Sequence, residues 1–279
     1  MNQRQHLENL NEKNLTYSSL NLFCLLITIF SNTQYNKFVR MLACVGAAAF
    51  PTVALVADEG FPSETQRQSI FSNLALQYDG IVRWTEISSG INRWRKKLLA
   101  NAYGDVLELG VGTGRNLKFY RGDKVLQVTG VDFSRSMLEV TDKKKKTLNE
   151  KIKLRLVCLD AKTLTTKFVE KSFDCVVDTF GLCSFEDPAA VLRQARLILK
   201  DEGRLLLLEH GQAEYEFMNK YLRKHLRHHV EKFGCYHDRP IRKIVEEAGF
   251  EILEERKKHF GSISLLVCKK TEALLCGVF

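Results

Sequence analysis

The chain is 279 residues long, 45% hydrophobic and 27% charged, a composition that excludes a wholly disordered polymer and suffices for one sizeable core. Its formal net charge of +9 favours an anionic partner, either phospholipid headgroups or RNA, without choosing between them. The cysteines at 24, 44, 158, 175, 183, 235, 268 and 276 form no C-x-x-C pair, which argues against a zinc ribbon. Cys158, Cys175 and Cys268 lie in apolar runs, where a thiol is expected to behave as a small buried hydrophobe.

Residues 1–40 form a polar lead or targeting segment, although Glu8 and Glu12 suit an acid-poor transit peptide badly. Residues 41–57 are uncharged, with Lys37 and Arg40 before them and Asp58 and Glu59 after. A helix of that length spans about 25 Å, slightly short of a hydrocarbon core of about 30 Å, so the segment reads as a marginal single transmembrane anchor kinked at Pro51. A processed presequence and a soluble segment are its rivals. The apolar run at 20–30 is too short to span. Residues 58–70 read as a linker, 71–270 as the catalytic domain and 271–279 as a tail.

From Arg67 to Leu99 the pattern is helical, ending in the basic stretch Arg93, Arg95, Lys96 and Lys97. Strands then alternate with helices: strands at 105–109, 125–131, 154–159, 173–178 and 204–209, helices at 116–120, 134–150, 188–199, 215–231 and 240–248. Two last strands, 250–257 and 262–269, flank a tight turn at Phe260 and Gly261. This order predicts an α/β fold: a mostly parallel seven-stranded sheet covered on both faces, with a closing antiparallel β-hairpin.

Where the first strand turns towards a helix stands Glu108-Leu-Gly-Val-Gly-Thr-Gly114. Glycines at alternate positions let the backbone turn tightly and approach a ligand at the carboxyl edge of the sheet. A dinucleotide fingerprint needs glycine where Arg115 stands, so the pyrophosphate-binding version fails. Asp132 closes the second strand, where a carboxylate can accept both hydroxyls of a ribose. Asp160 and Ala161 follow the third strand and could read the edge of a base, with Phe133 and Met137 packing on its rings. Each acid ends a different strand, which makes the ordered set more telling than any single residue.

These residues, with Gly130-Val-Asp132-Phe-Ser134, Phe173-Asp174 and Ala248-Gly249-Phe250, resemble the class I S-adenosylmethionine-dependent methyltransferases with a Rossmann-like fold, especially the ubiquinone/menaquinone and phospholipid group. Tyr78-Asp79, Gly114-Arg115-Asn116 and Leu208-Glu209-His210-Gly211 look most like membrane-anchored methyltransferase-like proteins of the mitochondrial inner membrane. Glu209-His210 is also similar to membrane-bound thiol methyltransferases of animals. The resemblance implies S-adenosyl-L-methionine as cofactor, cofactor-binding roles for Glu108, Gly110, Gly112, Gly114, Asp132 and Asp160, and a lid role for Tyr78. It also implies a small-molecule acceptor near a membrane: a quinone precursor, a lipid or a thiol. An RNA acceptor or a non-catalytic scaffold are the alternatives, and the sequence Asp178-Thr-Phe-Gly-Leu disfavours exocyclic base amines.

Methyl transfer to a hydroxyl or thiol needs alignment and removal of a proton. His210, ending the fifth strand at the carboxyl edge, is the candidate base. Thr179 should border the methionine end of the cofactor, and Cys183 should line the cleft, with no activator evident beside it. His225, His228 and His229 share a helix with Arg223, Lys224 and Arg227. Without an acidic or thiol ligand at matching spacing they read as a basic face towards anionic lipid or RNA, and no metal site is expected. Lys143 to Lys146 read as the basic end of a helix.

Overall fold

The structure is a computed structural model and describes residues 61–271; the lead read at 1–40, the anchor read at 41–57 and all but the first residue of the tail read at 271–279 lie outside the described residues. No helix among the described residues is long and apolar enough to cross a membrane.

Three helices come first: α1 (Glu64–Leu74), α2 (Tyr78–Ser88) and α3 (Ile91–Leu99). The α1 helix begins inside the span read as linker, because Ser63 and Gln66 close a reciprocal capping box that satisfies two otherwise orphaned backbone N–H groups. The sheet then runs β1 (Gly104–Leu109), β2 (Val125–Asp132), α4 (Arg135–Lys143), β3 (Lys153–Cys158), β4 (Phe173–Thr179), α5 (Pro188–Ile198) and β5 (Leu199–His210). It closes with α6 (Glu216–Phe233), α7 (Ile241–Glu247), β6 (Phe250–Lys258) and β7 (Ile263–Lys270). Strand order is β3-β2-β1-β4-β5-β7-β6, with β7 antiparallel to both neighbours and the other pairings parallel, as the alternation predicts.

The apolar runs are continuous because the central strands are covered on both faces. In β5, Leu205 and Leu207 pack with Val191, Leu192, Ile198 and Val245 on one side. Leu206 and Leu208 pack with Leu98, Leu99 and Leu117 on the other. Strand order reverses between β1 and β4, and their carboxyl ends open the crevice in which such sheets bind ligands.

Three local expectations change. The short helix at 116–120 is a single 3-10 turn, Leu117–Phe119, flanked by Asn116 and Tyr120, whose side chains both turn in to the buried Glu108. The helix expected to reach residue 150 stops at Lys143, followed by a 3-10 turn at Lys145–Thr147. Lys144 is drawn away to Asp79 and the Thr113 carbonyl, so it is a tertiary clamp as well as a helix end. Cys158 is exposed, since it ends the edge strand β3, whereas Cys175 and Cys268 are buried as expected.

Candidate active site

The cleft at the carboxyl ends of β1, β2 and β4 is lined by Tyr78, Glu108, Gly110, Gly112, Asp132, Phe133, Met137, Asp160, Ala161 and Thr179, all read as ligand-facing in the sequence. Gly110 and Gly112 have φ of 52° and 55°, a left-handed backbone that side chains disfavour, and this lets the loop fold over the end of β1. The loop is pinned by Val111 N–H donating to the Val131 carbonyl at 3.0 Å. Asp132 accepts from Gly112 N–H at 2.9 Å and Ser134 N–H at 2.8 Å, which fixes its carboxylate while leaving lone pairs towards the cleft. Burial raises its pKa to about 6, partly offset by those two N–H groups. Glu108 accepts from the Asn116 amide at 2.9 Å and the Tyr120 hydroxyl at 2.7 Å, and burial pushes it up to about 7.

Residues that the sequence reading missed complete the wall. Arg95 is 4% exposed and donates to Glu86 at 2.8 Å, Asn116 at 2.9 Å and Thr179 at 2.6 Å. Its burial was legible: Ile91, Arg95, Leu98 and Leu99 share one helical face, and all four are buried. Arg115 bridges Asp79 and Glu86, which clips α2 onto the glycine loop. Arg67, on α1, is also 4% exposed, lines the cleft and donates to the Ser184 carbonyl at 2.6 Å.

Other expected residues stand elsewhere. Gly114 does not line the cleft; a Cβ there would meet Leu117 and Thr141 at 3.0 Å, so close packing demands the glycine. His210 is not among the lining residues either. Its ring lies 4.5 Å from that of Phe180, which does line the cleft. Cys183 is fully buried rather than lining, and His210 is its neighbour, with Nδ1 at 3.9 Å from Sγ. The three α6 histidines do not converge: His225 and His228 are exposed, while His229 packs against His237 at 4.2 Å.

A family model described as a methyltransferase domain matches residues 79–255. The chain belongs to the S-adenosylmethionine-dependent methyltransferases. It is 32% identical over 215 residues to the mitochondrial methyltransferase OMS1 of Saccharomyces cerevisiae, a match covering 72% of this chain and 46% of that protein. It is 34% identical over 158 residues to the demethylmenaquinone methyltransferase of Thermotoga maritima, covering 54% of this chain and 64% of the relative. The chain thus spans about half to two thirds of these relatives. Among solved structures, the [4+2]-cyclase SpnF superposes with a TM-score of 0.59 at 14% identity, covering 76% of this chain and 98% of that one. The DhpI–SAH complex superposes with a TM-score of 0.54 at 16% identity, covering 75% and 97%. Such distant likeness shows the fold alone, and a cyclase on it shows that fold does not dictate reaction.

The donor set of this methyltransferase fits its cofactor, S-adenosylmethionine. A carboxylate oriented by two backbone N–H groups, apolar Phe133 and Met137 beside it and left-handed glycines suit a ribose, a base and a close backbone approach.

Proposed function

We propose that this methyltransferase holds S-adenosylmethionine along the cleft from Asp160 to Thr179 and methylates a small acidic acceptor, a thiol or a phenolic quinone precursor, beside a membrane. In this reading Asp132 takes the ribose hydroxyls, Phe133 and Met137 pack on the adenine, and Asp160 with the Ala161 N–H reads its edge. Glu108 faces the ammonium group through water, Thr179 borders the methionine end, and Tyr78 closes the cleft. Bound there, the cofactor supplies an electrophilic methyl group on a sulfonium.

The observation that carries the acceptor class is Arg67. Its buried guanidinium touches a carbonyl and the Tyr236 ring, and among the described residues no carboxylate is within ion-pair distance of it. A buried guanidinium outside ion-pair reach, which acts on Glu186 of the cleft only at longer range, favours an anion beside it and stabilises a thiolate or phenolate over the neutral acid. Methylation of a thiolate sulfur or a phenolate oxygen leaves no proton to remove and needs no side-chain base, which accords with His210 standing outside the cleft lining, whereas methylation of a ring carbon must still pass that carbon's proton to water or a base. Relatives named for demethylmenaquinone and for ubiquinone/menaquinone biosynthesis support a quinone-type acceptor, and the mitochondrial name of the yeast relative supports a mitochondrial location.

The test uses the full chain with labelled cofactor and three acceptors: an alkyl thiol, a phenolic quinone precursor and RNA. Transfer to the thiol or phenol is expected, with Arg67→Gln raising KM by about 10- to 100-fold. Transfer to RNA alone would overturn the acceptor class. A folded chain without cofactor binding at millimolar concentration would leave a scaffold.

A further inference from the structure

Outside the cleft lining, three soft ligands meet. Cys183 lies in the loop after β4, His210 is the last residue of β5, and Cys235 follows Gly234, the left-handed residue that ends α6. Cys235 Sγ is 3.2 Å from Cys183 Sγ and 3.7 Å from His210 Nδ1, and Cys183 Sγ is 3.9 Å from the same nitrogen. Both cysteines are buried. The backbone holds this arrangement: Tyr236 N–H donates to the Cys183 carbonyl at 2.8 Å, and Arg239 donates to the carbonyls of Leu182 and Phe185 at 2.7 and 2.5 Å. The neighbouring carboxyl of Glu209 is fully buried, accepts from Cys183 N–H at 3.2 Å, and has its other oxygen, Oε1, without a partner.

We propose that Cys183, His210 and Cys235 bind one zinc ion in an open Cys2His site. A tetrahedral ion with Zn–S of about 2.3 Å and Zn–N of about 2.0 Å places its sulfurs about 3.7 Å apart and each sulfur about 3.5 Å from the nitrogen. The observed separations depart from those values by a few tenths of an ångström, within reach of small side-chain rotations. A disulfide would account for the two sulfurs but not for the imidazole nitrogen aimed at both. A hydrogen-bonded thiol pair is the competing arrangement, and metal uptake by the reduced chain distinguishes the two. Three protein ligands leave the fourth position to water or a small exogenous ligand. The ion ties the loop at 180–186, whose Phe180, Ser184 and Phe185 line the cleft, to the end of α6, so it braces the wall of the cofactor site.

The full chain, purified reduced and stripped of metal by a chelator, is titrated with Co2+ and then with Zn2+. Uptake of about one equivalent is expected, with thiolate-to-cobalt charge-transfer absorbance that zinc abolishes. Cys183→Ser and Cys235→Ser should each remove most of that absorbance and weaken zinc binding by at least about 100-fold, His210→Ala by about 10-fold or more. Cys158→Ser should change neither. Circular dichroism shows whether each variant is folded, and the wild-type stoichiometry decides the matter without any variant. A folded wild-type chain with titratable thiols that takes up less than about 0.1 equivalent would overturn the proposal. So would a chain that forms a Cys183–Cys235 disulfide on oxidation but takes up no metal while reduced.

Discussion

Asp132 and Glu108 are both buried acids, yet their oxygens are occupied differently. Backbone N–H groups hold Asp132 with lone pairs to spare, whereas Glu108 already accepts from an amide and a phenol. Asp132→Ala should therefore weaken S-adenosylmethionine binding by about 2–4 kcal/mol by calorimetry, two charge-assisted hydrogen bonds being lost. Unchanged affinity would place the ribose elsewhere. The raised pKa values, about 6 for Asp132 and about 7 for Glu108, both arise from burial. A carboxyl raised on folding stabilises the fold fully below its unfolded pKa and loses that contribution as pH rises through the folded value. The ligand-free chain should thus lose on the order of 2–3 kcal/mol per group between about pH 4 and pH 7, read by urea unfolding. A ligand ammonium facing Glu108 favours the ionised form. Cofactor binding near pH 6 should then release protons, so its heat depends on the ionisation enthalpy of the buffer, and Glu108→Gln should reduce that dependence. Equal heats in every buffer would sink the assignment.

The α2 helix is held by ion pairs of unequal worth. Glu86 pairs Arg95, and Arg95 also holds Thr179 and Asn116 at the cleft, so Glu86→Ala strands a buried guanidinium. Urea unfolding should show a loss of about 3–5 kcal/mol, with protease cleavage appearing between residues 64 and 90. A loss within about 0.5 kcal/mol would mean that α2 is held by packing alone. Asp79 has three partners, Thr113, Arg115 and Lys144, but its side chain is 36% exposed. Water and salt screen that cluster, so Asp79→Ala should cost only about 1 kcal/mol and less at high salt.

For the whole molecule, the proposed membrane association can be tested on a surface outside residues 41–57. Tyr215, Phe217 and Phe260 form an exposed aromatic group with ring centroids 5.8 to 6.3 Å apart, beside the exposed Lys220, Arg223 and Lys224 of α6. The rim also carries Glu214 and Glu216, the latter paired with Arg223, so the aromatic side chains supply the main attraction to a lipid surface and Lys220 and Lys224 the electrostatic part. A chain beginning at residue 59 should sediment with anionic vesicles and be released by salt, and Phe217→Ser with Phe260→Ser should lower partition by about fivefold or more. Binding indifferent to salt and to both substitutions would remove this patch as a lipid-binding surface. The sequence by itself determined where the strands lie along the chain, their mostly parallel pairing and the acids at the ends of β1, β2 and β3, because alternating apolar runs and glycine spacing are local signals, whereas the order of the strands across the sheet came from the tertiary structure. Arg95 was half legible, its helical face visible but its partner not. Only the tertiary structure decided that Arg67 reaches the cleft, that His210 stands against Phe180 outside the lining, and that Cys183, His210 and Cys235 converge. Those contacts join separate elements whose distance is set by how sheet and helices pack, and no periodicity in the chain records that distance.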